Sequence, residues 1–220
     1  VTITEEFHSD EAMSLISSGK ILASHVASNT DYSVLAPASQ KMYGSGQNVH
    51  VSSPVIRAVT ATVLCTNGET QTLHFDALHS ATLSVGGDSS HSGPGCFVKS
   101  TDRLHAMAFA DRDGSDGVSW LPQESFGFTF VIPEEAEYLS IVSASPGSVT
   151  VGSTVYSIST CQSDGTDTVC NLYLSANEDQ GTVIVATVPV MIIYDPKSTD
   201  DESLLIPVDC DLPPSSPSPS

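Results

Sequence analysis

The sequence predicts an all-β fold, an antiparallel β-sandwich or jelly-roll-like domain with one short N-terminal helix. Apolar residues recur at every second position over short stretches, the period of a strand with at least one buried side. Each stretch is bounded by Gly, Pro, Asn, Asp or Ser, at the density expected of many short strands joined by turns. With 40% hydrophobic residues in 220, the chain has enough apolar surface to bury such a core.

Taken in order, "VTITEEF" alternates Val1, Ile3 and Glu5 against Thr2, Thr4 and Glu6. A strand so placed either pairs within its own domain or leaves to complete a neighbour's sheet. The helix is expected next, with Ser9 as N-cap, Asp10 and Glu11 in the first turn, Met13 and Ile16 on one face and Gly19 as terminator. Another strand follows at "YSVLAPA", so residues 1–35 read as an arm. In "VIRAVTATVL" Val55, Val59 and Val63 share a face with Arg57 and Ala61, opposite Ile56, Ala58 and Leu64. Strands are expected at "SATLSV", "RLHAMAFA", "EYLSIVSA", "SVTVG", "TVYSIST", "NLYLSA" and "TVIVATVPVMIIY". "FGFTFVIP" gathers Phe126, Phe128, Phe130 and Ile132 on one face and is expected in the core, ending at Pro133. Pro189 cannot donate to a ladder, so it marks an edge or a bulge within the longest apolar strand. No motif recurs at a fixed period, and the two halves share only a style of strand. The expected organisation is an arm at 1–35, a β-sandwich domain at 36–206 and a Ser/Pro-rich tail at 207–220.

A net charge of −19 with only seven Lys plus Arg repels a phosphate backbone within the Debye length of about 8 Å, which excludes nucleic acid as a partner. Self-association against that charge has to rest on buried strands, on cations or on a neutral coat. No apolar run reaches the eighteen residues of a helical membrane span, the longest being "VIVATVPVMIIY". The start at Val1, with neither Met nor a leader, is what a processed secreted chain would show. Five cysteines fit an oxidising compartment. The favoured pair is Cys161 with Cys170, flanking "QSDGTDTV", whose Asp-Gly reads as a hairpin turn. Cys65 with Cys96 comes second, which leaves Cys210 odd, either free or bonded to another chain. None of the five has the spacing of a zinc site.

"DRDGSDG" brings Asp111, Asp113 and Asp116 together with two glycines, and calcium is the hard cation such a loop would take. It departs from an EF-hand loop, with Asp116 at position six and Pro122 at position twelve, and a solvated acidic turn is the competing reading. No cofactor is otherwise required. The histidines at 8, 25, 50, 74, 79, 91 and 105 are scattered. Glu134 and Glu137 in "PEEAEY" would have to line a cleft to serve as a glycosidase pair; a charged turn after Pro133 is the simpler account. No nucleophile elbow, phosphate loop, zincin motif or N-linked sequon is present.

The end of the chain, "LPPSSPSPS", favours extended polyproline II with every side chain accessible. It has too little apolar surface to offset the roughly 1 to 2 kcal/mol per residue that ordering costs, so on its own it would wander. It resembles the Ser-Pro glycomodules of plant and algal hydroxyproline-rich glycoproteins. The resemblance implies hydroxylation and glycosylation at Pro213, Pro214, Pro217 and Pro219, with Ser215, Ser216, Ser218 and Ser220 as further sites. "DGVSWLPQESFGFTFVIP" is similar to a β-rich module of the IgGFc-binding-protein type. Together these segments resemble subunits of glycosylated extracellular fibrils of the mastigoneme-like or freshwater glycofibril kind. That resemblance implies a non-enzymatic, extracellular homo-polymer of identical subunits bearing covalent glycans. Its joint would be strand addition by the N-terminal arm, with Val1, Ile3 and Phe7 setting the register. The rivals are a secreted calcium-dependent adhesion or carbohydrate-binding module and, third, a glycoside hydrolase.

Overall fold

The computed structural model describes residues 24–27, 31–34, 38–53, 55–76, 79–86, 93–109, 117–198 and 202–208. All of its sheets are antiparallel, in agreement with the expected antiparallel all-β class. The helix expected from Ser9 to Gly19 lies outside the described residues, and among these the single helical element is a 3-10 turn at Gln123–Ser125. Part of the arm is a hairpin, β1 (Ser24–Ala27) with β2 (Asp31–Val34).

The next seven strands form one sheet: β3 (Ser39–Ser45), β4 (Asn48–Ser52), β5 (Val59–Cys65), β6 (Thr70–Phe75), β7 (Ser80–Ser84), β8 (Gly95–Phe109) and β9 (Gly117–Ser119). The long strand β8 belongs to two arrays. Its first half runs between β5 and β3 in the order β6-β5-β8-β3, and its second half between β4 and β9 in the order β7-β4-β8-β9. Eight further strands form the other sheet: β10 (Gly127–Val131), β11 (Ala136–Ser143), β12 (Gly147–Val151), β13 (Thr154–Ile158), β14 (Thr160–Ser163), β15 (Thr168–Glu178), β16 (Val183–Pro196) and β17 (Ser203–Leu204). Here β16 is the shared strand, giving the arrays β13-β12-β16-β10 and β14-β15-β11-β16-β17.

The two sheets have the same topology. Strands β3, β4, β5, β6, β7, β8 and β9 correspond in order to β10, β11, β12, β13, β15, β16 and β17, with β14 an insertion in the second unit. Even the irregularity is shared. From Ser39 to Lys41 the partner on β8 moves from Leu104 to Lys99, and from Gly127 to Thr129 the partner on β16 moves from Val190 to Val185. This bulge lets one strand turn a corner and serve both arrays. Its chemistry differs between the units. In β16 the looped-out stretch holds Pro189, whose missing N–H would be lost to the ladder anyway. In β8 it holds Asp102, which accepts the Arg103 backbone N–H at 2.8 Å and pairs with Arg57. The span 36–206, read from the sequence as one domain, thus contains two equivalent units, and the repeat that no sequence motif betrays lies in the strand pairing.

Each unit encloses its own core. Met42, Val49, Val51, Val63, Val98 and Trp120 belong to the first, and Phe130, Ile132, Leu139, Ile141, Ile184 and Ile192 to the second. Tyr43, Leu64 and Phe97 sit beside Met42, Val63 and Val98 in sequence, so the strand period turns them to the opposite face. There they meet Val142, Val169, Met191 and Ile193 of the second unit in a third cluster. Of the aromatic face expected in the core, Phe130 and Ile132 are buried and Phe126 packs on the third cluster, but Phe128 is 43% exposed. The bulge between Gly127 and Thr129 breaks the alternation on which that expectation rests. Ile56 is exposed because β5 begins only at Val59.

Candidate assembly surface

The joint between the units is heterologous: the outer face of β6-β5-β8-β3 in the first unit lies against the outer face of β15-β11-β16 in the second. At its centre Tyr43 packs obliquely on Phe97 with ring centroids 5.8 Å apart, and edge-on against Phe126 at 5.6 Å. The connection between the units runs beside β3, where Tyr43 N–H donates to the Leu121 carbonyl at 2.8 Å and Leu121 N–H returns the bond at 2.9 Å. Ser45 and Ser140 share a buried hydroxyl bond of 2.8 Å across the joint. Gly95 leaves room for Asn171, whose Cβ would stand 2.6 Å from a Cβ added there.

An ion clamp closes one side. The inserted β14–β15 hairpin turns at Gly165, whose φ of 93° suits glycine. The Asp164 carboxylate accepts the N–H groups of Thr166 and Asp167 at 2.9 and 2.8 Å, an Asx turn that fixes the loop. Asp167 is thereby presented to the first unit, where Lys41 pairs with its Oδ1 and Lys99 Nζ lies 2.8 Å from its Oδ2. Lys99 also lies 3.5 Å from Asp164. Burial opposes ionisation of Asp167, but the two ammonium groups outweigh it and hold the carboxyl below the usual range. Asp164 is held low chiefly by the two backbone N–H groups. Tyr43 is pushed up to about 12, first by burial and then by Asp167, Asp164 and Glu124.

Counting from the bulge, the pair Lys41–Lys99 of the first unit corresponds to Thr129–Val185 of the second, and Tyr43–Phe97 corresponds to Val131–Val183. The face that the first unit buries in the joint is therefore open in the second. Val131, Val183 and Val185 are 39%, 46% and 47% exposed, and Val155 on β13 is 67% exposed. They are contiguous, because Val131 opposes Val183, Val185 opposes Thr150, and Thr150 opposes Val155. Ser148 and Thr187 continue the face, joined by a 2.9 Å bond from Ser148 N–H to Thr187 Oγ1. Among the described residues no outward position on β10, β12, β13 or β16 of this array carries a charge. Sequence reasoning missed this surface, although "VIVA" was a clue: Val183 and Val185 alternate with Ile184 and Ala186, so both faces of the strand are apolar, a pattern typical of strands covered on both sides.

Both expected disulfides are present. Cys65 and Cys96 face each other across β5 and β8, and Cys161 and Cys170 across β14 and β15, each with a Cα separation of 4.0 Å. Cys210, the arm residues Val1, Ile3 and Phe7, the acidic trio Asp111, Asp113 and Asp116, and the tail sites Pro213, Pro214, Ser215, Ser216, Pro217, Ser218, Pro219 and Ser220 all lie outside the described residues. Among the described residues no cluster of three or more His, Cys, Asp or Glu could hold a metal ion, and no helix is long and apolar enough to cross a membrane. Glu135 pairs with Lys197 at 2.6 Å and Glu134 accepts Ser198 Oγ–H at 2.7 Å, so these acids tie the turn after Pro133 to the end of β16. No model of a known protein family matches the chain, and no curated protein or solved structure does so either.

Proposed function

We propose that the chain is a structural, non-enzymatic subunit of an extracellular glycosylated filament, built from two sandwich-like units in series. The observation that carries this reading is the uncharged valine face of β13-β12-β16-β10. A protein with a net charge of −19 remains soluble with an all-polar surface, so a contiguous apolar patch on it marks a contact with another molecule. Two disulfides support a location outside the reducing cytosol. Ser-Pro glycans on the tail would space the acidic surfaces of neighbouring subunits. The arm residues Val1, Ile3 and Phe7 would add to a sheet edge of the next subunit, and β13 ends its array.

Native material tests this directly. Electron microscopy together with intact-mass spectrometry of the C-terminal peptide is expected to show filaments and a ladder of pentose or hexose increments. A bare, solitary protein would overturn the reading. Deleting residues 1–7 separates the arm from the rest: filaments that persist in the truncated protein would remove strand addition and leave the subunit role standing.

A further inference from the structure

The valine face has the relief of a surface on which another sheet can lie. Val131, Val155, Val183 and Val185 carry branched side chains restricted at χ1, so ordering them against a partner costs little entropy. Thr129, Ser148, Thr150 and Thr187 fill outward positions between them. Short side chains of similar height suit face-to-face packing of sheets about 10 Å apart. The first unit already uses its equivalent array in this way, with Tyr43 and Phe97 at the positions of Val131 and Val183 lying beneath the second unit.

The rest of the chain narrows what a second copy could set against this face. The second unit's β15-β11-β16 face is taken up by the internal joint. Its counterpart in the first unit is closed too, since Met107 and Ser119 are buried and β2 lies against β9. The remaining exposed large apolar residues gather near the valine face itself. Val208 donates its N–H to the Thr129 carbonyl at 2.9 Å, at the β10 rim; Ile206 lies two residues before it and Phe128 sits in the bulge of β10, while Ile56 stands apart in the first unit. Among the described residues, therefore, the apolar surface that one copy can offer to another is the valine face again. Any other contact would press the valines against polar groups that lose water without gaining a partner.

A patch that meets itself does so about a two-fold axis, and such a contact closes after two copies. We infer that the β13-β12-β16-β10 faces of two copies pack on each other about a two-fold axis, joining the second units and leaving the first unit of each copy outside the contact. The inference rests on the reading of the chain as an assembly subunit and specifies one of its joints.

Charge agrees with this pairing. The internal joint is between unlike faces, so Lys41 and Lys99 on one can meet Asp167 on the other. Lysines on a face that meets its own copy would bring like charges together, and the equivalent positions hold Thr129 and Val185 instead. Although each copy carries a net charge of −19, the outward positions of this face bury no unpaired carboxylate when they pair.

The test uses the full chain with its disulfides intact. Sedimentation velocity is expected to show a monomer–dimer equilibrium in the parent protein, weakened at least tenfold by Val183→Lys/Val185→Lys. Equal melting temperatures in dilute, monomeric samples serve as the fold control, and Val155→Lys on the neighbouring strand carries the same test if the double variant does not fold. A photo-crosslinker at position 185 is expected to link to residues 129–131, 148–155 or 183–187 of another copy. Dimers indifferent to both lysine variants, or crosslinks to the first unit of the partner, would overturn the two-fold joint and leave the subunit role standing. Crosslinks to residues 209–220 of the same chain would overturn it in favour of the tail as occupant, and dimers lost on deleting residues 1–7 in favour of strand addition. A parent protein that stays monomeric at every concentration would also overturn the joint; filaments in native material would then keep the subunit role, and their absence would remove both.

Discussion

Tyr43 and Val131 occupy equivalent positions in the two units, each the fifth residue of its strand and two residues beyond the same bulge, yet Tyr43 is 1% exposed and Val131 39%. The difference is what lies on top of them. Truncation should separate them cleanly. Tyr43→Ala empties the centre of the joint and is expected to cost about 3 to 5 kcal/mol in urea denaturation. Val131→Ala in a monomeric sample is expected to stay within about 0.5 kcal/mol. Equal costs would mean that the third cluster does not hold the units together.

The clamp should give the joint an acid limb. Asp167 and Asp164 have folded pKa values below their unfolded ones, so their contribution is fully present above the unfolded value of about 4 and is lost as the pH falls through the lower folded value. Thermal melts from pH 7 to pH 2 are expected to show this loss in the parent protein and a shallower one in Asp167→Asn. The same acid limb in both proteins would assign the pH dependence to other carboxylates.

The strand content was legible because alternation is local: "SVTVG", "EYLSIVSA" and "NLYLSA" fall in β12, β11 and β15. The cysteine pairs were legible for a related reason, since the Asp-Gly turn places Cys161 opposite Cys170. What escaped was relational. β3, with Lys41 and Tyr43 on one face and Met42 on the other, is buried on both sides near its end and has no polar face to give it a period. The duplication escaped because it resides in which strands pair, and the corner is turned by Pro189 in one unit and by Asp102 in the other. The open valine face could be recognised only once the covered one was known.

Cys161 and Cys170 close the hairpin that carries the clamp, so the disulfide should act beyond its own loop. Replacing both by Ser is expected to cost about 2 to 3 kcal/mol through the loosened unfolded-state constraint. It should also reduce the penalty of Asp167→Asn, because a freed hairpin no longer holds Asp167 against Lys41 and Lys99. A double-mutant cycle measured by urea denaturation checks this; strict additivity would show that the Asx turn at Asp164 positions the carboxylate without help from the disulfide.

Gly95 and Asn171 offer the most specific test of the joint, because one side-chain atom separates fit from overlap. A Cβ at position 95 would stand 2.6 Å from the Asn171 Cβ, closer than two carbon atoms approach, and both groups are carried on strands whose backbones are pinned by ladders on either side. Gly95→Ala is therefore expected to push the units apart and to cost about 1 to 3 kcal/mol. Removing the opposing atom in Gly95→Ala/Asn171→Gly should recover part of that loss, although Asn171→Gly alone weakens β15 by lowering its strand propensity. The sign of the coupling is the readout: a double variant more stable than Gly95→Ala alone places the overlap at this contact. A double variant whose losses simply add would place the cost of Gly95→Ala elsewhere, and the proposed closeness of the two faces would fail.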